Sequence, residues 1–159
     1  MTRLDDLLDY LHTTTYFTDP ASARFHLNCV GGLYEHSLNV VTNLRKLTSA
    51  LDLKWKQCDS PEIIGLGHDV CKIGAYMLDG EGGYTFNPDQ PEGHGDLSVA
   101  MVEKIIALTE EERACIRWHM GAYDIRPNWN HYNEAIHLYP NVLWTHTADM
   151  MATHIDEVA

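Results

Sequence analysis

The sequence predicts an all-α fold: one domain spanning residues 1–159, built as a bundle of about six helices with a minor β-hairpin or loop. Over most of the chain, apolar residues recur three or four positions apart, which is the spacing of one buried helix face. The chain has 159 residues, of which 45% are apolar. That is enough for one hydrophobic core and too short for two ordinary domains.

Three helices are predicted in the first half of the chain. An amphipathic first helix ends near residues 13–15 and is marked by Leu4, Leu7, Leu8 and Leu11. Gly31 and Gly32 open a long second helix, whose apolar stripe contains Leu33, His36, Val40, Leu44, Leu47 and Leu51. The third helix begins with Ser60 as its N-cap and Pro61 in its first turn, and it leads into the pair His68-Asp69.

A short β-element separates the two halves of the chain. Tyr76–Leu78 and Tyr84–Phe86 flank a Gly-rich segment, residues 79–83, which is typical of a small hairpin or a structured loop. From Asp96 a further helix is predicted to run to Leu108, because apolar residues again follow the helical period.

The last third of the chain predicts two helices joined by an aromatic loop. Thr109–Glu112 has the form of a capping box, so we expect a helix from there to His119. Residues 121–133 contain Pro and several aromatic side chains and are predicted to form a loop. A final helix follows Pro140.

The charge balance disfavours several classes of function. Lys and Arg number 11 against 23 Asp and Glu, a formal net charge of −12, which disfavours a surface for long nucleic acid or anionic lipid. No segment approaches the roughly 18 consecutive apolar residues of a membrane-spanning helix. The N-terminus is unlike a signal peptide, and the four cysteines form no Cys-x-x-Cys pair. We therefore expect a cytoplasmic protein with reduced thiols.

Several metal-competent residues lie on or beside the predicted helix stripes: His36, His68, Asp69, His94, His119 and Asp149. Taken alone, a histidine on an apolar face is more often a core residue bonded to a carbonyl. The adjacent pair His68-Asp69 differs, because burying it among small and apolar neighbours would cost several kcal/mol unless something compensates. A divalent cation compensates both groups. Imidazole with carboxylate suits Mn, Fe, Co, Ni or Zn better than Mg.

Four local segments carry a resemblance to a known family: Gly-Gly-Leu-Tyr-Glu-His-Ser-Leu (31–38), Gly-His-Asp-Val-Cys-Lys-Ile-Gly (67–74), Gly-His-Gly-Asp-Leu-Ser (93–98) and Ala-Asp (148–149). In this order they resemble the HD-domain metal-dependent phosphohydrolase superfamily, over about residues 25–155. The first two segments are most similar to the branch that includes the HD module of bacterial 3′→5′ exoribonucleases. The resemblance implies a fold of packed helices.

The resemblance also implies one or two metal ions. The positions that hold the first metal in this superfamily are matched by His36, His68, Asp69 and Asp149. Asp69 would bridge to a second metal, with His94 and His119 as its further ligands. Two residues depart from the family pattern. Met120 stands where many dinuclear members have another histidine, and this difference affects the second metal site but not the first. Cys71 replaces a Gly that is common in the family.

These residues lead to the hypothesis of a metal-dependent phosphohydrolase that cleaves a phosphate ester of a small nucleotide through a metal-activated water. Its activity would be that of a phosphomonoesterase or of a cyclic-nucleotide or oligonucleotide phosphodiesterase. Asp69 and Lys72 are the predicted catalytic residues, with Lys72 as a point charge on a phosphate oxygen. The alternative for Lys72 is a solvated surface lysine. His146 and His131 are weaker candidates for a general acid.

Substrate binding is assigned to Lys72 and to Trp118, Tyr123 and Arg126, which lie close to the proposed ligand His119 in the sequence and could stack a base and contact its phosphate. The alternative is that Trp118 and Trp129 simply cover the helical core.

Two other functions remain open from the sequence. One is a 3′→5′ exonuclease on single-stranded RNA or DNA, favoured by the branch that the chain most resembles. The other is a metal-holding nucleotide-binding module without turnover. A purely structural metal is disfavoured, because structural zinc sites are rich in cysteine and no cysteine joins this set.

Overall fold

The computed structural model describes residues 1–91 and 93–158, and it confirms a mostly helical fold. Within these residues the helices are α1 (Arg3–His12), α2 (Gly32–Leu51), α3 (Ser60–Gly67), α4 (His94–Glu103), α5 (Glu110–Arg117), α6 (Trp129–Leu138) and α7 (Asn141–Met151). A π-helical turn, Ala152–Asp156, extends α7. The predicted hairpin is an antiparallel pair, β1 (Tyr76–Leu78) and β2 (Tyr84–Phe86), with Tyr76 opposite Phe86.

Local signals fix the starts of several helices. Thr2 and Asp5 form a capping box at the start of α1, and Thr109 with Glu112 forms the predicted one at the start of α5. Gly32 starts α2 where no side chain fits, because a Cβ there would lie 2.1 Å from the Leu27 carbonyl oxygen. The chain therefore enters α2 in one fixed direction.

The core lies between α2 and its neighbours α3 and α7, with α5 packed against α4 and α7. Gly65 allows α3 to approach α2 closely, because a Cβ on it would lie 2.4 Å from Val41 Cγ2 and 2.9 Å from Val41 N. This close approach matters for the site, since α3 ends just before His68 and Asp69 while α2 carries His36.

Four sequence-based boundaries are wrong. Ser60 is the first residue of α3, and the N-cap is Asp59. The Ser60 hydroxyl donates to Glu112 Oε1 at 2.7 Å. Helix α4 begins at His94 and ends at Glu103, short of Leu108. Helix α5 stops at Arg117, before His119.

The predicted 121–133 loop is also wrong from Trp129 onward, where α6 begins. Helix α6 buries only Ala135, while Tyr132 and Ile136 on the same face pack partly buried against the core. Its apolar stripe is short and largely aromatic, so it is easily taken for part of the aromatic loop. Among the described residues, no helix is both long enough and apolar enough to span a membrane.

Candidate metal centre

The six metal-competent residues lie together in space although they come from five parts of the chain. His36 is on α2, His68 and Asp69 follow α3, and Asp149 is on α7. The remaining two are at helix ends, His94 at the first position of α4 and His119 just after α5. All are buried except His94, whose side chain is 34% exposed.

Asp69 is at the centre of the cluster, and its two carboxylate oxygens face different histidine pairs. Oδ2 lies 3.5 Å from His36 Nε2 and 3.4 Å from His68 Nε2. Oδ1 lies 2.8 Å from His94 Nε2 and 3.3 Å from His119 Nε2. The cluster therefore contains two groups of ligand atoms that share one carboxylate.

Asp149 adds to the first group. Its Oδ1 lies 3.1 Å from His36 Nε2, and His36 Nε2 in turn lies 3.3 Å from His68 Nε2. Two ligand atoms that each bind an ion at about 2.1 Å stand about 3.0 to 3.4 Å apart at octahedral or tetrahedral angles. The spacing of these atoms therefore suits coordination of a common cation.

The second ring nitrogens show which histidine atoms are free to bind. His68 Nδ1 lies 2.8 Å from the Gly65 carbonyl oxygen, and His119 Nδ1 lies 2.7 Å from that of Ile116. Because a carbonyl oxygen only accepts a hydrogen bond, Nδ1 carries the proton in both rings. In a neutral ring, Nε2 then has a free lone pair that points towards the cluster. His119 Nε2 is buried without a hydrogen-bond partner among the described residues. These buried His and Asp groups could hold a metal ion.

The two buried carboxylates of the cluster, Asp69 and Asp149, favour the binding of a cation. Burial raises the pKa of Asp69, but the charge of Lys72 and the adjacent imidazoles of His68 and His119 outweigh burial and hold the pKa well below its usual range. Asp149 behaves alike, since its hydrogen bond to His36 outweighs burial and lowers its pKa. Burial lowers the pKa of His36, yet its bonds to Asp149 and Glu157 prevail and raise the pKa to about 10. Both aspartates thus remain ionised at neutral pH.

Lys72 is placed by a 3₁₀ turn, Val70–Lys72, and not by a continuation of α3. Its Nζ lies 2.9 Å from Asp69 Oδ2, and its side chain is 19% exposed. Lys72 is therefore paired with a site residue while it faces the adjacent cavity, in contrast to a solvated surface lysine.

Sequence analysis missed a second layer around His36. Glu157 places both carboxylate oxygens 3.0 Å from His36 Nδ1, and His26 Nε2 lies 3.2 Å from Glu157 Oε1. The available signal was weak: Thr153 and Glu157 continue the helical spacing of Asp149 by four and eight residues. No local pattern in the sequence identifies His26 as a neighbour.

A cavity of about 1000 Å³ opens onto this cluster. Four of the six candidate ligands line it, namely His36, Asp69, His94 and Asp149. Several lining residues are aromatic or cationic: Arg24, Phe25, Lys72, Tyr76, Phe86 and Tyr123. Met120, which departs from the family pattern, also lines the cavity.

The predicted substrate residues divide into two sets. Lys72 and Tyr123 line the cavity, whereas within residues 1–91 and 93–158 its lining includes neither Trp118 nor Arg126. Trp118 packs against the core, with the Arg117 guanidinium 4.0 Å from its ring centroid. Arg126 lies over Trp129 instead. Three further aromatic side chains that line the cavity, Phe25, Tyr76 and Phe86, come from other segments.

The two candidate general acids lie outside this lining within the described parts of the chain. His146 Nδ1 bonds the His119 carbonyl oxygen at 2.8 Å, and the His131 side chain is 63% exposed. Neither position suggests a role at the site.

Comparison with protein-family models, with curated proteins and with solved structures gives no match. The interpretation of the site therefore depends on the geometry of its residues, and membership of the HD-domain superfamily stays a prediction.

Proposed function

We propose that this protein is a metal-dependent phosphohydrolase of the HD-domain type that cleaves a phosphate ester of a small nucleotide. The observation that carries the proposal is the position of Asp69. Its two oxygens face His36 and His68 on one side and His94 and His119 on the other, beside an open cavity. A shared carboxylate with nitrogen ligands on both sides is the arrangement expected of a two-metal hydrolytic site.

Each group of residues would have its own role in hydrolysis. A divalent ion bound here would supply a water of lowered pKa and would neutralise phosphoryl charge. Asp69 and Asp149 hold negative charge in a buried setting, and the carbonyl-bonded His68 and His119 keep fixed orientations. Lys72 Nζ lies at the cavity beside Asp69, where it can contact a phosphate oxygen.

The cavity favours a small substrate. Its volume of about 1000 Å³ is at the upper end of the range for small-molecule sites. Arg24 and Lys72 provide positive charge in a chain whose net charge is −12, and aromatic rings line the same space. Local positive charge with aromatic walls is suited to a nucleotide, while the overall acidity disfavours a long polymer.

The test begins with metal analysis of the purified protein. It continues with phosphate release from nucleoside monophosphates, cyclic nucleotides and dinucleotides in the presence of Mn, Co, Ni, Zn or Mg. We expect bound transition metal and turnover of at least one small nucleotide, with His131→Ala as an unaffected control because its ring is exposed. Bound metal without turnover of any ester would support the nucleotide-binding module instead.

A 3′→5′ exonuclease is the second candidate, and the aromatic rings in the open cavity favour it because such rings stack successive bases of a single strand. Stepwise shortening of single-stranded RNA or DNA, with a steep dependence on salt, would support this function over the first. Exclusive turnover of mononucleotides would exclude it.

A further inference from the structure

Two phenylalanines expose their rings at the cavity. Phe25 is 75% exposed and Phe86 is 68% exposed, and both line the cavity. Exposed apolar surface at the rim of a cavity is one of the features of ligand-binding grooves.

Local structure orders the backbone that carries each ring. The Phe25 backbone N–H donates to Ser22 Oγ at 3.1 Å, and the Ser22 hydroxyl donates to the His26 carbonyl oxygen at 2.9 Å. Phe86 is fixed by strand pairing with Tyr76, and their ring centroids are 5.3 Å apart. Because both backbones are already ordered, binding a ligand to these rings costs little conformational entropy.

We propose that Phe25 and Phe86 form a subsite for the planar aromatic part of the substrate, while its phosphate lies towards Lys72 and Asp69. This proposal rests on the proposed function and makes it more specific. The preferred esters carry a nucleobase or a similar ring, and sugar phosphates without one are poor substrates. Stacking on an aromatic side chain accepts any base, since every base has a π-face.

The test compares adenosine 5′-monophosphate with ribose 5-phosphate, which has the same phosphate and no base. For the nucleotide, Phe25→Ala and Phe86→Ala should each lower kcat/KM about 10-fold, mainly through KM, and leave the sugar phosphate unchanged. Phe86→Trp should retain the preference, and Phe86→Leu should lose most of it because leucine is apolar but not planar. Leu138→Ala is the matched control, an exposed apolar side chain on α6.

Equilibrium dialysis of adenosine 5′-monophosphate tests the subsite without turnover. Binding weakened by Phe25→Ala supports the subsite even if no ester is hydrolysed, in which case the proposed function alone is lost. Equal turnover of the two phosphates, or equal binding by wild type and both alanine variants, would overturn the subsite.

A separate observation concerns Glu157, whose side chain is 1% exposed. Both its oxygens lie 3.0 Å from His36 Nδ1, while Asn39 Nδ2 donates to Oε2 at 3.1 Å and His26 lies 3.2 Å from Oε1. His68 and His119 use neutral backbone carbonyls at the same ring position. His36 therefore has a charged acceptor where those two ligands have a neutral one.

We infer that Glu157 is a positioning residue of the metal centre. By accepting the Nδ1 proton, its carboxylate fixes the tautomer of His36 and directs Nε2 towards Asp69 and Asp149. A charged acceptor also makes the ring a stronger ligand.

Glu157→Gln tests this role, because the amide retains the shape and one acceptor oxygen but loses the charge. We expect the affinity for Zn²⁺, measured by competition with a chelating dye, to fall about 10- to 100-fold. The melting temperature of the metal-free protein separates this effect from a loss of folding. Glu134→Gln, at an exposed carboxylate, is the matched control. Unchanged Zn²⁺ affinity in Glu157→Gln would overturn the assignment, whatever happens to the melting temperature.

Discussion

Lys72 forms an ion pair with Asp69, with Nζ 2.9 Å from Oδ2. The same carboxylate oxygen faces His36 and His68. Asp69 thus joins the candidate ligand atoms to the one lysine that lines the cavity in the described parts of the chain. The pairing places the Lys72 cation directly beside the carboxylate that both groups of candidate ligand atoms share.

Asp69→Ala should abolish both metal uptake and activity. Its carboxylate faces all four candidate histidines, so the substitution removes a ligand from both groups. Loss of an outer-shell partner alone costs about 10- to 100-fold in affinity, and we expect more than about 100-fold here. Metal content by atomic spectroscopy and phosphate release provide the measurements. Full activity in a folded variant would overturn the site assignment.

Lys72→Met should retain metal but lose rate. The methionine keeps the length of the side chain and removes the charge that we place on a phosphate oxygen. Loss of one such electrostatic contact typically lowers kcat about 100-fold. Lys72→Arg is the partner variant, which keeps the charge and should recover part of the rate. An unchanged kcat in Lys72→Met with normal metal content would show that Lys72 has no role in catalysis.

Removal of metal should lower the melting temperature. A ligand present at 100 times its dissociation constant stabilises the folded state by about 2.7 kcal/mol, which corresponds to about 5–10 °C for a chain of this size. Thermal unfolding before and after treatment with a chelator measures the shift, and adding Zn²⁺ or Mn²⁺ should restore it. Identical melting curves from metal-loaded and chelated protein would contradict a metal bound at these buried residues.

Glu112 should make stability depend on acid pH. Arg3 contacts both of its oxygens at 2.9 Å, and Ser60 donates to it at 2.7 Å. Burial raises the pKa of Glu112, but the bonds from Arg3, Ser60 and Thr109 outweigh burial and lower the pKa below its usual value. Its contribution is therefore fully present above the unfolded pKa of about 4.3 and is lost as pH falls through the lower folded pKa.

Glu112→Gln should accordingly cost about 2 kcal/mol of unfolding free energy at pH 7, and the difference from wild type should shrink towards pH 3. Urea unfolding at pH 7, 5 and 3 measures it. Glu134→Gln, at an exposed residue, should show no such change. If the difference in unfolding free energy between Glu112→Gln and wild type stayed constant from pH 7 to pH 3, the charge of Glu112 would not contribute to stability.

Much of the fold could be predicted because its signals are local. The leucine stripe of α1, the Gly pair before α2, the capping box at Thr109 and the hairpin pattern each depend on residues a few positions apart. Helix α6 was missed, since its short apolar stripe, with Tyr132 and Ile136 only partly buried, continues directly from the aromatic loop before it. The N-cap assigned to Ser60 failed because its hydroxyl bonds Glu112, 52 residues away.

The sequence by itself determined the helical class, because helix periodicity can be read from neighbours along the chain. The cost of burying His68-Asp69 singled out that pair, and the resemblance to the HD-domain superfamily added His36, His94, His119 and Asp149 to the candidate set. The tertiary structure decided which atoms meet: the two sides of Asp69, the contact of Glu157 with His36, and a cavity whose lining, within residues 1–91 and 93–158, includes Phe25 and Phe86 but neither Trp118 nor Arg126. These contacts join residues far apart in sequence, and the approach of His36 to His68 and Asp69 requires the close packing of α2 on α3 at Gly65. No local pattern encodes that distance.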